Sequence, residues 1–251
     1  MHMIKQLVAA AAMMSMAGSA LAAGEIVLVA GATGKTGRPA IEILKGEGYK
    51  VRALVRDAAK AADLGEDVEF AVGDVTKPET LTAAAKGADF VISAIGTGRS
   101  QKAEDIEYGG VAALVDAAKA AGVKQFVLVS SLNAGSTDTN EFLNKAFGML
   151  LMWKGEGEKY LRESGVPYTI VRPGGLRPFP NEQSCEGGEV GLKVAPFNDT
   201  GMGAVCRTDL AAVLVNALGN PDAVGKTFSL ISDEHAPVDK WKSDIAALPK
   251  D

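Results

Sequence analysis

The sequence is poor in the residues that build metal centres. Its two histidines and two cysteines lie far apart and leave no zinc-ligand spacing, so no metal site is expected. It also lacks a basic excess. The formal net charge is −5, which excludes a general affinity for nucleic acid. Beyond residue 25 no apolar run reaches the length of a bilayer span, so no stable membrane insertion of the body is expected. There is no internal repeat, low-complexity tract or linker. A chain of 251 residues without these features can bury a sizeable core without disulfides or metals.

What is present begins with an unusual N-terminus. Residues 1–22 carry one positive charge, Lys5, and no acid. An apolar run follows at 7–16, then small residues ending in Ala20-Leu21-Ala22. A charged start, a short apolar stretch and an A-x-A site in that order read as a signal peptide cleaved after Ala22. The expected location is then periplasmic or secreted. The alternative is a cytoplasmic protein with a misassigned start.

From residue 25 the chain alternates apolar, β-branched runs with helical stretches. Strands are expected at 26–30, 51–55, 68–72, 90–94, 125–129 and 168–171, with a late one at 227–230. Helices are expected at 38–46, 78–86, 108–121, 141–164 and 209–218. This order predicts an α/β fold, a doubly wound parallel sheet over residues 23–251 as a single domain. Residues 173–205, richer in Gly, Pro and Asn, are expected to form a small irregular lobe on the substrate side.

The strongest motif is Gly31-Ala32-Thr33-Gly34-Lys35-Thr36-Gly37, directly after the first strand and opening the first helix. Glycines there allow a tight turn, close approach of a pyrophosphate and close helix packing. The helix N-terminus offers free amides and a positive dipole end, and Thr33, Lys35 and Thr36 add donors. The second strand ends in Val55-Arg56-Asp57. An acid in that position would bind the ribose 2′-hydroxyl of NAD(H), whereas Arg56 can pair with the 2′-phosphate of NADP(H). The expected cofactor is therefore NADP(H), with NAD(H) the weaker alternative. Arg99 could support the same phosphate.

At this point the chain resembles the atypical short-chain dehydrogenase/reductases. Within them it is most similar to the NAD(P)H-binding group of flavin/biliverdin-IXβ reductases and related plant NADP-binding Rossmann proteins. The resemblance rests on residues 31–37, 53–57, Gly73-Asp74-Val75, 116–131 (DAAKAAGVKQFVLVSS), 153–176 (WKGEGEKYLRESGVPYTIVRPGGL) and 223–230. It implies that Asp74 and Val75 flank the adenine and that Ala94, Ile95 and Gly96 line the cofactor. Ser130 and Ser131 would sit near the nicotinamide. Lys154 and Ser131 match the family's catalytic lysine and serine, but Leu150 stands where its catalytic tyrosine would be. That departure points away from alcohol dehydrogenation and leaves Lys154 to hold the nicotinamide ribose.

The function expected is NADPH-dependent reduction of a flavin, a quinone or a similar small acceptor. Two alternatives stay open: a non-catalytic NADP(H)-binding sensor or assembly factor, and an exported Rossmann protein with another ligand. Other features read as structural. Trp153 and Trp241 suit packing, and Asp105, Glu107 and Asp116 suit solvated helix faces. His235 suits the surface. Cys185 and Cys206 could form a disulfide across the substrate-side lobe or remain two thiols. The oligomeric state is open.

Overall fold

The computed structural model describes residues 24–98, 100–178, 185–196 and 201–251. In chain order it contains β1 (Ile26–Ala30), α1 (Gly37–Gly46), β2 (Lys50–Val55), β3 (Glu69–Val72), α2 (Leu81–Ala85), β4 (Phe90–Ser93), α3 (Val111–Ala121) and β5 (Gln125–Val129). There follow α4 (Phe142–Ala146), α5 (Leu150–Glu163), β6 (Tyr168–Pro173), β7 (Gly175–Arg177), β8 (Gly191–Pro196), β9 (Ala204–Cys206), α6 (Arg207–Asn216), β10 (Lys226–Asp233) and α7 (Lys240–Ala247). The expected signal peptide, residues 1–22, and Arg99 lie outside the described residues.

Eight strands form one sheet in the order β3-β2-β1-β4-β5-β6-β10-β8. Every pairing is parallel except β10 with β8. Strand alternation splits β1 between two cores. Val27 and Val29 face Ile41 and Leu44 of α1 together with Leu210, Val213 and Leu214 of α6. Leu28 and Ala30 face the opposite core, with Leu81 of α2, Leu114 and Val115 of α3, and Leu161 of α5. Each fully buried aliphatic side chain there is worth about 1.5–3 kcal/mol. Helices on both faces thus hold the strand tips rigidly. The order reverses at β1, between β2 and β4, and that reversal opens a crevice at the carboxyl ends of the strands.

The α/β Rossmann architecture is as expected, with four differences of detail. Part of the segment read as irregular is β8, an antiparallel edge strand that buries Leu192 and Ala195 and exposes Lys193. A six-residue strand flanked by Gly and Pro carries too little alternation to announce itself. β7 and β9 form a separate two-stranded ribbon. Near the C-terminus, α7 buries Trp241 and Ile245, one helical turn apart. The fourth difference matters most for the site. The helix expected at 108–121 begins earlier, as a π-helical stretch over Glu104–Gly110. Widened turns of this kind re-aim side chains and often mark functional positions.

Candidate functional site

The glycine loop is shaped by two close approaches. Gly31 has φ +82°, and a Cβ on it would stand 2.4 Å from the Ala94 carbonyl oxygen. A Cβ on Gly37 would stand 2.2 Å from the Gly31 carbonyl oxygen. No side chain fits at either position, so the loop folds tightly between the tip of β4 and the start of α1. Thr36 caps α1 without a side-chain hydrogen bond; the Arg38 amide donates to the Gly34 carbonyl (3.1 Å) and Pro39 carries no N–H, so within the first turn the Gly37 amide is the donor left to an incoming anion.

Above the loop lies a pocket of about 220 Å³. It is lined by Gly31, Thr33, Gly34, Arg56, Asp74, Val75, Ala94, Ile95 and Gly96, with Leu54, Val55, Gly73, Gln101 and Ile106. Lys35 and Gly37 line neither this pocket nor its neighbour; Lys35 is exposed on the loop. Arg56 is exposed at the end of β2, without a carboxylate partner among the described residues. The adjacent Asp57 does not compete for the pocket. Its carboxylate accepts from the Ala59 amide (3.0 Å) and lies 3.8 Å from Lys60. Asp74 accepts from the amide (3.0 Å) and hydroxyl (2.8 Å) of Thr76. The Thr76 amide, then its hydroxyl and the charge of Arg56, hold the Asp74 carboxyl below its usual range.

Ala94, Ile95 and Gly96 are shared with a larger cavity of about 790 Å³. Its sheet side is formed by Val129–Asn133 residues and Thr97, its helical side by Leu150, Leu151 and Lys154, and its far side by Pro173 to Leu176 and Arg207. Thr36, Glu107, Glu141, Phe142 and Leu143 complete it. Phe142 is 76% exposed at the mouth.

Two buried ionic groups govern this cavity. Lys154 Nζ lies 2.8 Å from Glu107 Oε2. The other carboxylate oxygen of Glu107 accepts from the Thr97 amide (2.7 Å) and hydroxyl (2.8 Å). Glu107 is only 2% exposed, which corrects the expectation of a solvated helix face. The π-helical turn directs it inward, and its partner lies 47 residues away, beyond any local pattern. The contact requires Gly157 in α5, where a Cβ would stand 2.3 Å from the Glu107 carbonyl oxygen. Asp105 and Asp116 are exposed as expected, as is His235.

The second group centres on Glu158, which is fully buried. It accepts from Ser130 Oγ (2.5 Å), from Arg172 Nε (2.9 Å) and Nη2 (2.6 Å), and from Arg162 (3.1 Å). Ser130 is thereby fixed at the cavity wall. Ser131 lines the same wall and makes no side-chain hydrogen bond among the described residues. Sequence reasoning missed both Glu158 and Arg172. The only local signal was the i,i+4 spacing of Glu158 and Arg162, which usually marks a solvated helix face.

Leu150 is buried against the cavity. Neither nearby tyrosine replaces a general acid there. Tyr160 donates to Asp116 (2.8 Å), and this bond raises its pKa. Burial, then the charge of Asp251, pushes Tyr168 up to about 12, and its hydroxyl bonds Asp251 at 3.0 Å. Neither lines the cavity. Arg207, also missed from sequence, does line it. Cys185 and Cys206 are joined as a disulfide just before Arg207, with 5.9 Å between their Cα atoms.

A fit test for a dinucleotide comes from Gly96. A Cβ there would meet no atom closer than Glu107 Oε1 at 4.0 Å and would stand in the shared part of the cleft. The glycine keeps open the passage that a two-part cofactor needs. Residues 31–221 match a family described as NAD(P)H-binding. The chain is 34% identical over 265 residues to sanguinarine reductase of Eschscholzia californica, covering 88% of this chain and 94% of that protein. It is 32% identical over 249 residues to the chloroplastic protein TIC 62 of Pisum sativum, covering 89% of this chain and 46% of that protein. Among solved structures, an anaerobillin reductase of Escherichia coli O157:H7 superposes with a TM-score of 0.68 at 28% identity, covering 84% of this chain and 99% of the other.

These relatives correct the expectation of a periplasmic or secreted protein. Where the names of relatives matching most of this chain print a compartment, it is the chloroplast. Among the described residues no helix is long and apolar enough to cross a membrane.

Proposed function

The chain belongs to the NAD(P)H-binding family of Rossmann oxidoreductases, and from that premise we propose that it uses NADPH to reduce a flat, small acceptor of the flavin or quinone kind. The observation that carries the proposal is the two-part cleft. A glycine-loop pocket whose Arg56 has no carboxylate partner among the described residues opens, through Ala94 to Gly96, into a mostly apolar cavity.

In this reading Arg56 pairs with the 2′-phosphate. The Gly31, Thr33, Gly34, Lys35, Thr36 and Gly37 loop holds the pyrophosphate by backbone amides, and Asp74 and Val75 flank the adenine. NADPH supplies the hydride. Lys154, fixed by Glu107, faces the nicotinamide ribose, and Ser130, fixed by Glu158, keeps the wall in register. Ser131 offers a free hydroxyl to a carbonyl or ring nitrogen of the acceptor. Leu150 keeps the wall apolar and supplies no proton, which suits acceptors that accept a hydride without strong general-acid help. Residues 23–251 act as one dinucleotide-binding domain, a view supported by the eight-stranded sheet that gathers strands from both halves of the chain.

A second reading, nucleotide binding without turnover, is favoured by one observation. Lys154 is already committed to Glu107, and among the described residues no tyrosine lines the cavity. NADPH oxidation at 340 nm with flavin mononucleotide and 1,4-naphthoquinone separates the two. Acceptor-dependent oxidation is expected. Tight NADPH binding with no oxidation by either acceptor would sink the reductase reading and leave the second.

A further inference from the structure

Arg207 is the cation of the larger cavity that the reaction described above does not use. It begins α6, immediately after the disulfide-bonded Cys206. Its Nη1 donates to the Pro178 carbonyl at 3.0 Å. Among the described residues it has no carboxylate partner. The acids nearby are otherwise engaged. Glu107 serves Lys154 and Thr97. Glu141, at the rim, accepts from Ser136 Oγ at 3.1 Å. Asp209, two residues on, turns to the Gly188 amide at 2.6 Å.

A half-buried guanidinium without an acid is costly unless an anion completes it. Arg207 is partly buried in the cavity wall, and that burial pulls its pKa below its ordinary value. The backbone nonetheless fixes it in place. Arg177 pairs with Cys206 in the β7–β9 ribbon, and the disulfide ties Cys206 to Cys185. One N–H of the planar fork is taken by Pro178, and the others remain to grip a carboxylate or sulfonate. Around it the cavity wall is apolar, through Leu132, Leu143, Leu150 and Leu176, and Phe142 offers an exposed ring at the mouth. The volume, about 790 Å³, is that of a site for a compact organic ligand.

We propose that Arg207 is a specificity residue and that the acceptor is an aromatic molecule bearing a carboxylate or sulfonate, with the anion on Arg207 and the flat body along the leucine wall. The proposal rests on the acceptor-site reading above and narrows its substrate class.

The test uses the full-length protein loaded with NADP+. Two non-reducible probes of like shape, 2-naphthoate and 2-naphthamide, are titrated by calorimetry. The naphthoate is expected to bind at least about tenfold more tightly, the factor that one charge-assisted contact supplies. Arg207→Gln should remove that preference, Arg207→Lys should keep part of it, and unchanged NADP+ affinity of both variants shows that they fold. Equal affinity for the two probes, no binding of either, or a preference that survives Arg207→Gln would overturn the proposal. Failure of the reductase reading looks different: 1,4-naphthoquinone would not oxidise NADPH, while the naphthoate preference and its loss in Arg207→Gln would remain.

Discussion

The glycine-loop pocket and the larger cavity share Ala94, Ile95 and Gly96, yet they draw on the chain differently. The pocket is made by residues 31–106, from the tips of consecutive strands and the first turn of one helix. The cavity is assembled from residues 36–207 and held by ionic contacts that span tens of residues, such as Lys154 with Glu107. One half gathers a glycine loop and the ends of four strands that follow one another in the chain, and each piece obeys local backbone rules. The other is a tertiary construction, and its charged groups are stabilised only once the fold is complete.

That contrast predicts where the molecule is fragile. The largest effect is expected at Glu107. Replacing it with Gln leaves the Lys154 ammonium buried without its counter-charge, at a cost of about 3–5 kcal/mol. The double variant Glu107→Gln/Lys154→Met should recover most of the loss, because no charge is then left unpaired. Urea unfolding checks both. A single variant as stable as the parent would mean that the cavity does not depend on its long-range pair, and the contrast would fail.

How much of each half was legible follows the same division. The glycine loop, Arg56 and strands β1 to β6 could be read in sequence because parallel strands buried on both faces are near-continuous apolar runs. Gly31 and Gly37 could be read because only glycine tolerates the approaches found there. Glu107 was misread, since an acid on an apparent helix face looks solvated until a π-helical turn directs it inward. Glu158 and Arg172 escaped because a buried charge leaves no local trace when its partner is distant. Arg207 escaped for a related reason: it was marked only by the cavity that other elements build around it. β8 and α7 lacked the length or the pattern to stand out. The N-terminal pattern suggested export, and the relatives corrected that expectation.

A smaller effect is expected at the disulfide, which belongs to the cavity side alone. Cys185 and Cys206 are separated by 21 residues. Opening a loop of that size costs roughly 3 kcal/mol in the chain-entropy model, a fall in Tm of about 6–12 °C for a domain of this size. Thermal unfolding with and without a strong reductant measures it. NADPH affinity should stay the same in the reduced protein, because no residue of the smaller pocket touches the bridge. A reduced protein that unfolds at the same temperature, or that loses NADPH, would break the proposed independence of the two halves.

The central claim is that the local half of the cleft selects NADPH through Arg56. Titration calorimetry of NADPH and NADH against the parent protein and Arg56→Ala tests it most directly. The parent should prefer NADPH by about 1.5–3 kcal/mol, the value of one charge-assisted contact, and the variant should bind both cofactors alike. Equal affinities in the parent, or a preference that survives the loss of Arg56, would contradict the account.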